Sequence, residues 1–225
     1  MNTDTTLNRP HPVLQFLRAP FELRSYANLL YLALAFPLGL FYFVFLVTGF
    51  SLGFGLSILW IGLPILALVF AASWGMAALE RQLAIALLGA EVPPMAPAAP
   101  AEPQGFWRRI QDFLSNPVTW KGIGYLLIKL PLGVFTFTLL VTLLSLTVAF
   151  LLAPFAYPLG LFQYDWDGSV WVVDTMGEAL LCGAFGALLL FVTLSALNGL
   201  AWVWGRLASV MLGSERFAVQ PPAAA

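Results

Sequence analysis

The chain has 225 residues, 60% of them hydrophobic and 9% charged, with a formal net charge of −1. A soluble domain carries about 25% charged residues. So few charges cannot cover a water-facing surface, which excludes an ordinary soluble domain and makes lipid the solvent. A single cysteine, Cys182, excludes an intrachain disulfide and a cysteine metal cluster; in its apolar run it reads as a small packing residue.

Residues 1–11 are polar and read as a disordered tail, and residues 12–24 mix apolar and basic residues in a way that suits the membrane surface. The long polar lead, its prolines and the length of the apolar run that follows do not fit a cleavable signal peptide. No charged residue lies between Arg24 and Glu80, a run of 55. A crossing helix needs about 20 residues, so this run predicts two spans. The first is expected at about 27–48, with Gly49, Gly53 and Gly55 as a tight outer turn. The second is expected at about 56–79 and continues as a helix to Leu88, where Gly89 reads as its stop.

Residues 92–104 form a Pro/Ala linker, expected to be semi-extended and unpacked. Residues 105–120 follow. Phe106, Trp107, Ile110, Phe113 and Leu114 fall on one helical face, and Arg108, Arg109, Asp112 and Ser115 on another, the pattern of an interfacial helix. Uncharged runs of 35 residues after Lys129 and 27 after Glu178 predict a third span at about 122–152 and a fourth at about 176–205. Thr175 and Glu178 fit a capping box at the start of the fourth. Residues 214–225 form a C-terminal tail.

Tyr31–Pro64 aligns with Tyr125–Pro158 at a constant offset of 94 residues, with 13 of 34 positions identical. Shared apolar composition alone gives about three or four matches, so the alignment marks an internal repeat. Gly213 matches Gly89 at an offset of 124, so the second copy carries 30 extra residues in its outer loop. The expected fold is an all-α polytopic membrane protein. Its four transmembrane helices form two tandem, parallel-repeat hairpins (12–91 and 105–213) with interfacial helices. Basic residues gather in the tails and linker, while the 159–178 loop carries acids only. The positive-inside rule then places both termini in the cytoplasm and the protein in the inner membrane.

The candidate ligand-binding residues lie in that outer loop: Tyr164, Asp165, Trp166, Asp167 and Trp171. They combine aromatic surface with acids able to meet a cation, or else form an interfacial aromatic belt. Asp167-Gly168 is a turn signal, and Val170–Val173 has strand composition. Lys129, read as the one charge inside a span, is expected to snorkel its long stem to the head groups. Pro37 with Gly39, and Pro131 with Gly133, mark a helix kink that serves either as a hinge or as a packing site. No nucleophile–base pair, phosphate loop or metal-ligand cluster is present. The expectation is a non-enzyme with no cofactor, metal or nucleic-acid partner.

The runs YLALAFPLGLFYFVFLVTGFSLGFGL, IGLPILAL, ALERQLAIALLG, NPVTW, KLPLGVFTFTLLVTLLSLT, VDTMGEAL and GRLASVMLG resemble, in this order, the sensor-domain family at the N-terminus of many bacterial sensor histidine kinases. The resemblance covers about residues 18–213 and implies a four-span signal-input module. No kinase segment follows Gly213, so kinase activity is not expected to carry over, and the resemblance assigns no ligand and so no ligand residues. The resulting expectation is a stand-alone membrane sensor. It detects a membrane or envelope cue and relays it to a cytoplasmic partner such as a histidine kinase, with homodimerisation by analogy. The alternatives are a transporter or permease subunit and a lipid-organising structural protein.

Overall fold

Long apolar runs with few helix-breaking positions satisfy their backbone polar groups internally, which lipid requires. The structure, a computed structural model, places four helices on these runs: α1 (Leu23–Gly55), α2 (Gly62–Leu88), α3 (Pro117–Ala156) and α4 (Met176–Leu212). All four are long and apolar enough to cross a membrane. The structure describes residues 23–95, 115–156, 158, 163–166, 169–172 and 175–213. The expected tail at 1–11 and the aromatic and basic faces expected across 106–114 lie outside the described residues, as does most of the expected surface segment at 12–24.

The turn between α1 and α2 lies past Gly49 and Gly53. α1 runs through Gly49 and Gly53 and ends at Gly55, and a short 3-10 turn at Ser57–Leu59 makes the reversal. Trp60 closes it with φ 62°, and the Gly62 amide donates to the Leu56 carbonyl at 3.0 Å. The glycines have another task. A Cβ on Gly49 would lie 2.6 Å from the Val69 side chain, and one on Gly53 2.5 Å from Leu66. They let α1 and α2 approach closely, as small residues do between membrane helices.

The helix ends follow their local signals. Asn116 Oδ1 accepts the Val118 amide at 3.0 Å, with Pro117 as the first residue of α3. The Glu178 amide donates to Thr175 Oγ1 at 3.3 Å, one half of the expected capping box. Gly89 adopts φ 60° after Leu88, and the Ala90 amide closes onto the Ala84 carbonyl at 3.2 Å. The start of the linker is packed rather than loose. Val92 and Met95 are buried. Arg81 donates to the Val92 and Pro93 carbonyls at 2.8 and 2.9 Å, which satisfies backbone groups that a free linker would leave to water.

The segment between α3 and α4 holds a two-stranded antiparallel ribbon, β1 (Gln163–Trp166) and β2 (Ser169–Val172). Two compact units divide the chain: Met1–Tyr26 with Leu139–Gly199, and Ala27–Thr138 with Leu200–Ala225. In the first, Ala153, Ala179 and Cys182 form a small core with Phe150 against it. There Thr147 and Thr193 share a buried hydrogen bond of 2.9 Å, and the Asn198 amide donates to Ser25 Oγ at 3.0 Å.

In the second unit, α1 and α3 pack backbone to backbone. A Cβ on Gly39 would lie 2.8 Å from the Lys129 carbonyl oxygen, and one on Gly133 would lie 2.7 Å from that of Ala35. Both helices continue through their prolines, Pro37 and Pro131, which face outward while the glycines two residues on face inward. The glycine of each Pro-Leu-Gly triplet is therefore a packing position. Gly133→Val is predicted to cost about 1–3 kcal/mol by overpacking, read as a lowered thermal midpoint in detergent. Nothing lies within 4 Å of a Cβ on Gly75, so Gly75→Ala should be neutral or stabilising by up to about 1 kcal/mol.

Candidate functional site

Lys129 does not snorkel. It is fully buried, and its Nζ lies 2.5 Å from Glu80 Oε2, whose side chain is also fully buried. Glu80, one residue past the expected second span, belongs to the body of α2, eight residues before its end. Removing both charges from solvent carries a desolvation cost that one close contact offsets only if the remaining donors and acceptors are met.

They are met by tyrosines from α1 and α3. Tyr42 donates to Glu80 Oε1 at 3.0 Å, and Tyr31 donates to Oε2 at 3.4 Å. Lys129 Nζ also donates to the Tyr31 oxygen at 3.4 Å, and the Tyr31 and Tyr125 hydroxyls lie 3.0 Å apart. One proton arrangement serves all of these contacts: Tyr31 donates to Glu80 and accepts from both Lys129 and Tyr125. The ammonium also sits 4.8 Å from the Tyr31 ring centroid, 5.2 Å from that of Trp204 and 5.8 Å from that of Tyr125. Cation–π attraction to these ring faces adds to the pair, more so where water is absent. Trp204 itself is fixed by Nε1–H donating to Thr136 Oγ1 at 3.0 Å. Among the described residues, no buried side-chain nitrogen or oxygen lacks a partner.

The cluster follows the repeat. At the offset of 94, Tyr31 matches Tyr125, Ala35 matches Lys129 and Tyr42 matches Thr136; at 124, Glu80 matches Trp204. The contacts correspond as well. Tyr42 bonds Glu80, and Thr136 bonds Trp204. Tyr31 meets Glu80, and Tyr125 meets Trp204 edge to ring at 6.3 Å. Gly39 faces Lys129, and Gly133 faces Ala35. Tyr31 and Tyr125 meet each other. Buried positions 31, 32, 35, 39, 42 and 46 of α1 recur as buried 125, 126, 129, 133, 136 and 140 of α3.

Tyr164, Asp165 and Trp166 fall on β1 and Trp171 on β2, with Tyr164 in register with Trp171 and Asp165 with Val170. Asp167 lies outside the described residues. No group able to hold a metal occurs among the described residues. The sequence reading missed Glu80, Tyr31, Tyr42, Tyr125, Thr136 and Trp204 as a site. The signal was available in the repeat, since Glu80 aligns with Trp204 on a face otherwise occupied by Ala77, Ala84, Ala201 and Ala208.

Removing one partner of a buried pair strands the other, at a cost of about 3–5 kcal/mol. Lys129→Met and Glu80→Leu are each predicted to destabilise by that order. The double replacement Lys129→Met with Glu80→Leu should be far less damaging than the two costs added together. Denaturation in mild detergent, analysed as a double-mutant cycle, measures the difference.

The arrangement holds two charges and three tyrosine hydroxyls in one network in which every buried polar atom has a partner. A family model described as Putative sensor matches residues 31–212, which takes in every residue of the cluster. No curated protein and no solved structure matches the chain. On the extent of that match, this multi-pass membrane protein belongs to the Putative sensor family.

Proposed function

We propose that the chain is a membrane signal-input module that detects a membrane or envelope cue and relays it to a cytoplasmic signalling partner of the histidine-kinase class. In this reading the four spans form two tandem hairpins of equal orientation. Their basic ends, with Arg24, Arg81, Lys121 and Arg206, lie at the cytoplasmic face of the inner membrane. The acidic loop with the β-ribbon lies outside.

The observation that carries the relay is the position of the cluster on the two trailing helices. Glu80 lies eight residues before the end of α2 at Leu88, and Trp204 eight residues before the end of α4 at Leu212. That is about 12 Å of helix in each case. The segment after α2 ties the two ends together. Arg81 holds the Val92 and Pro93 carbonyls. A Cβ on Gly213 would lie 2.7 Å from Pro93, and one on Gly205 3.4 Å from Ala90. A cue that alters the spacing of α1 and α3 acts directly on Lys129 and the tyrosines, hence on Glu80 and Trp204, and reaches both helix ends together.

A second reading, a transporter, draws on the same buried pair, because intramembrane charges often line substrate routes. The full satisfaction of both charges by neighbouring side chains weighs against it. Solute flux in proteoliposomes that is abolished by Lys129→Ala would favour transport over sensing.

Co-purification of the full chain from native membranes in gentle detergent tests the sensor reading. The expected result is stoichiometric recovery of a cytoplasmic signalling protein, with altered output in the Lys129→Met, Glu80→Leu variant at near-normal protein levels. A chain that binds no signalling protein, or an output unchanged by that variant, would count against the relay.

A further inference from the structure

The cluster has one asymmetry that the repeat does not require. Each position in it has a counterpart in the other copy, but only one of the two possible ion-pair positions is charged. Glu80 of the first copy meets Lys129 of the second. The counterparts, Trp204 and Ala35, are neutral. Apart from those of the Lys129 ammonium, the contacts described above are exchanged between copies in pairs, and Tyr31 with Tyr125 is its own counterpart. This is the signature of a two-fold interface, in which residue i meets j and the partner's j meets i. The glycine contacts show the direction of the axis. Tyr31 lies by Tyr125, Ala35 by Gly133 and Gly39 by Lys129. The Tyr31–Tyr125 contact comes first on both helices, and the two glycine contacts, which cross over each other, come later on both, so α1 and α3 run parallel and the axis lies along them.

We propose that the chain is a fused dimer of hairpins, and that the Glu80–Lys129 pair is the element selecting which hairpin binds which. The interface is built for a copy of itself, so two first hairpins from different chains would fit each other nearly as well as a first fits a second. The charges remove that degeneracy. Pairing first with first sets Glu80 against Ala35, twice, and buries two carboxylates with no cation. Pairing second with second sets Lys129 against Trp204, twice, and buries two ammoniums with no anion. Only first with second places an ammonium on a carboxylate. Unpaired charge against the wrong partner is an established route to specificity, and a single buried polar contact is able to set register and partner choice in helical assemblies. The partner surface is therefore a second-copy hairpin, whether from the same chain or from a neighbouring chain by exchange.

The inference makes a prediction that a merely stabilising ion pair does not. The site should be transferable to its counterpart positions. In the full chain, the six replacements Ala35→Lys, Tyr42→Thr, Glu80→Trp, Lys129→Ala, Thr136→Tyr and Trp204→Glu move the charges and their hydrogen-bond partner to the other side of the axis. A control chain carries only Ala35→Lys and Lys129→Ala, which keeps both charges but places them in the same hairpin, across the axis from each other's partner. Both are purified in detergent and compared by size-exclusion profile and thermal midpoint. The exchanged chain is expected to elute as wild type does and to melt well above the control, which should lose at least about 6 °C or associate. An exchanged chain no better than the control, or a control as stable as wild type, overturns the proposal. Because the readout is folding and association rather than signalling, its failure is separate from failure of the sensor reading.

Discussion

An ammonium and a carboxylate sealed inside an apolar bundle constrain everything around them. Neither Lys129 nor Glu80 reaches water, and a charge stranded in such a place costs several kcal/mol. The pair therefore holds its helices at a fixed approach. Tyr31, Tyr42 and Tyr125 then have defined roles, because the oxygens of the carboxylate and the hydrogens of the ammonium must find partners. The aromatic faces of Tyr31, Tyr125 and Trp204 complete the enclosure. The network is polar and closed, a state that favours a unique arrangement over several loosely packed ones.

The backbone makes room for it. Between membrane helices there is no hydrophobic drive to associate, so van der Waals packing and hydrogen bonds must suffice. Gly39 and Gly133 bring α1 and α3 into backbone contact near the pair. The Pro-Leu-Gly triplets place a proline outward and a glycine inward in both helices, so the repeated motif reads as a packing device. The strap formed by residues 90–95, gripped by Arg81, connects the ends of the two trailing helices. In the proposed sensor reading, this strap is the route by which a change at the pair reaches those ends.

Much of the architecture was legible because it depends on length and charge alone. The uncharged runs between Arg24 and Glu80 and after Lys129 are long enough for membrane-crossing helices, and α1, α2 and α3 fall largely on them. Gly89 and Thr175 are local signals and act locally. Other features failed for physical reasons. Gly49 and Gly53 resembled turn residues, yet they serve close helix approach, and composition does not separate the two uses. Lys129 resembled a snorkelling lysine because it lies seven residues past Gly122, and Glu80 fell one residue past the expected second span at about 56–79. Their pairing spans 49 residues and belongs to no short motif. The repeat did hold the information, since it aligns Glu80 with Trp204 and Lys129 with Ala35. That reading required asking which aligned positions differ in charge as well as which agree.

The chain contains only two lysines, Lys121 and Lys129, which allows a direct test of the central claim that Lys129 is sealed against Glu80. Membranes containing the intact protein are treated with a membrane-permeant amine-reactive ester, and modification at each lysine is followed by mass spectrometry. Lys121 is half-buried near the start of α3 and Lys129 is fully buried. The account predicts modification of Lys121, with Lys129 protected until the protein is denatured. Modification of Lys129 in the folded protein at a rate comparable to Lys121 would contradict it.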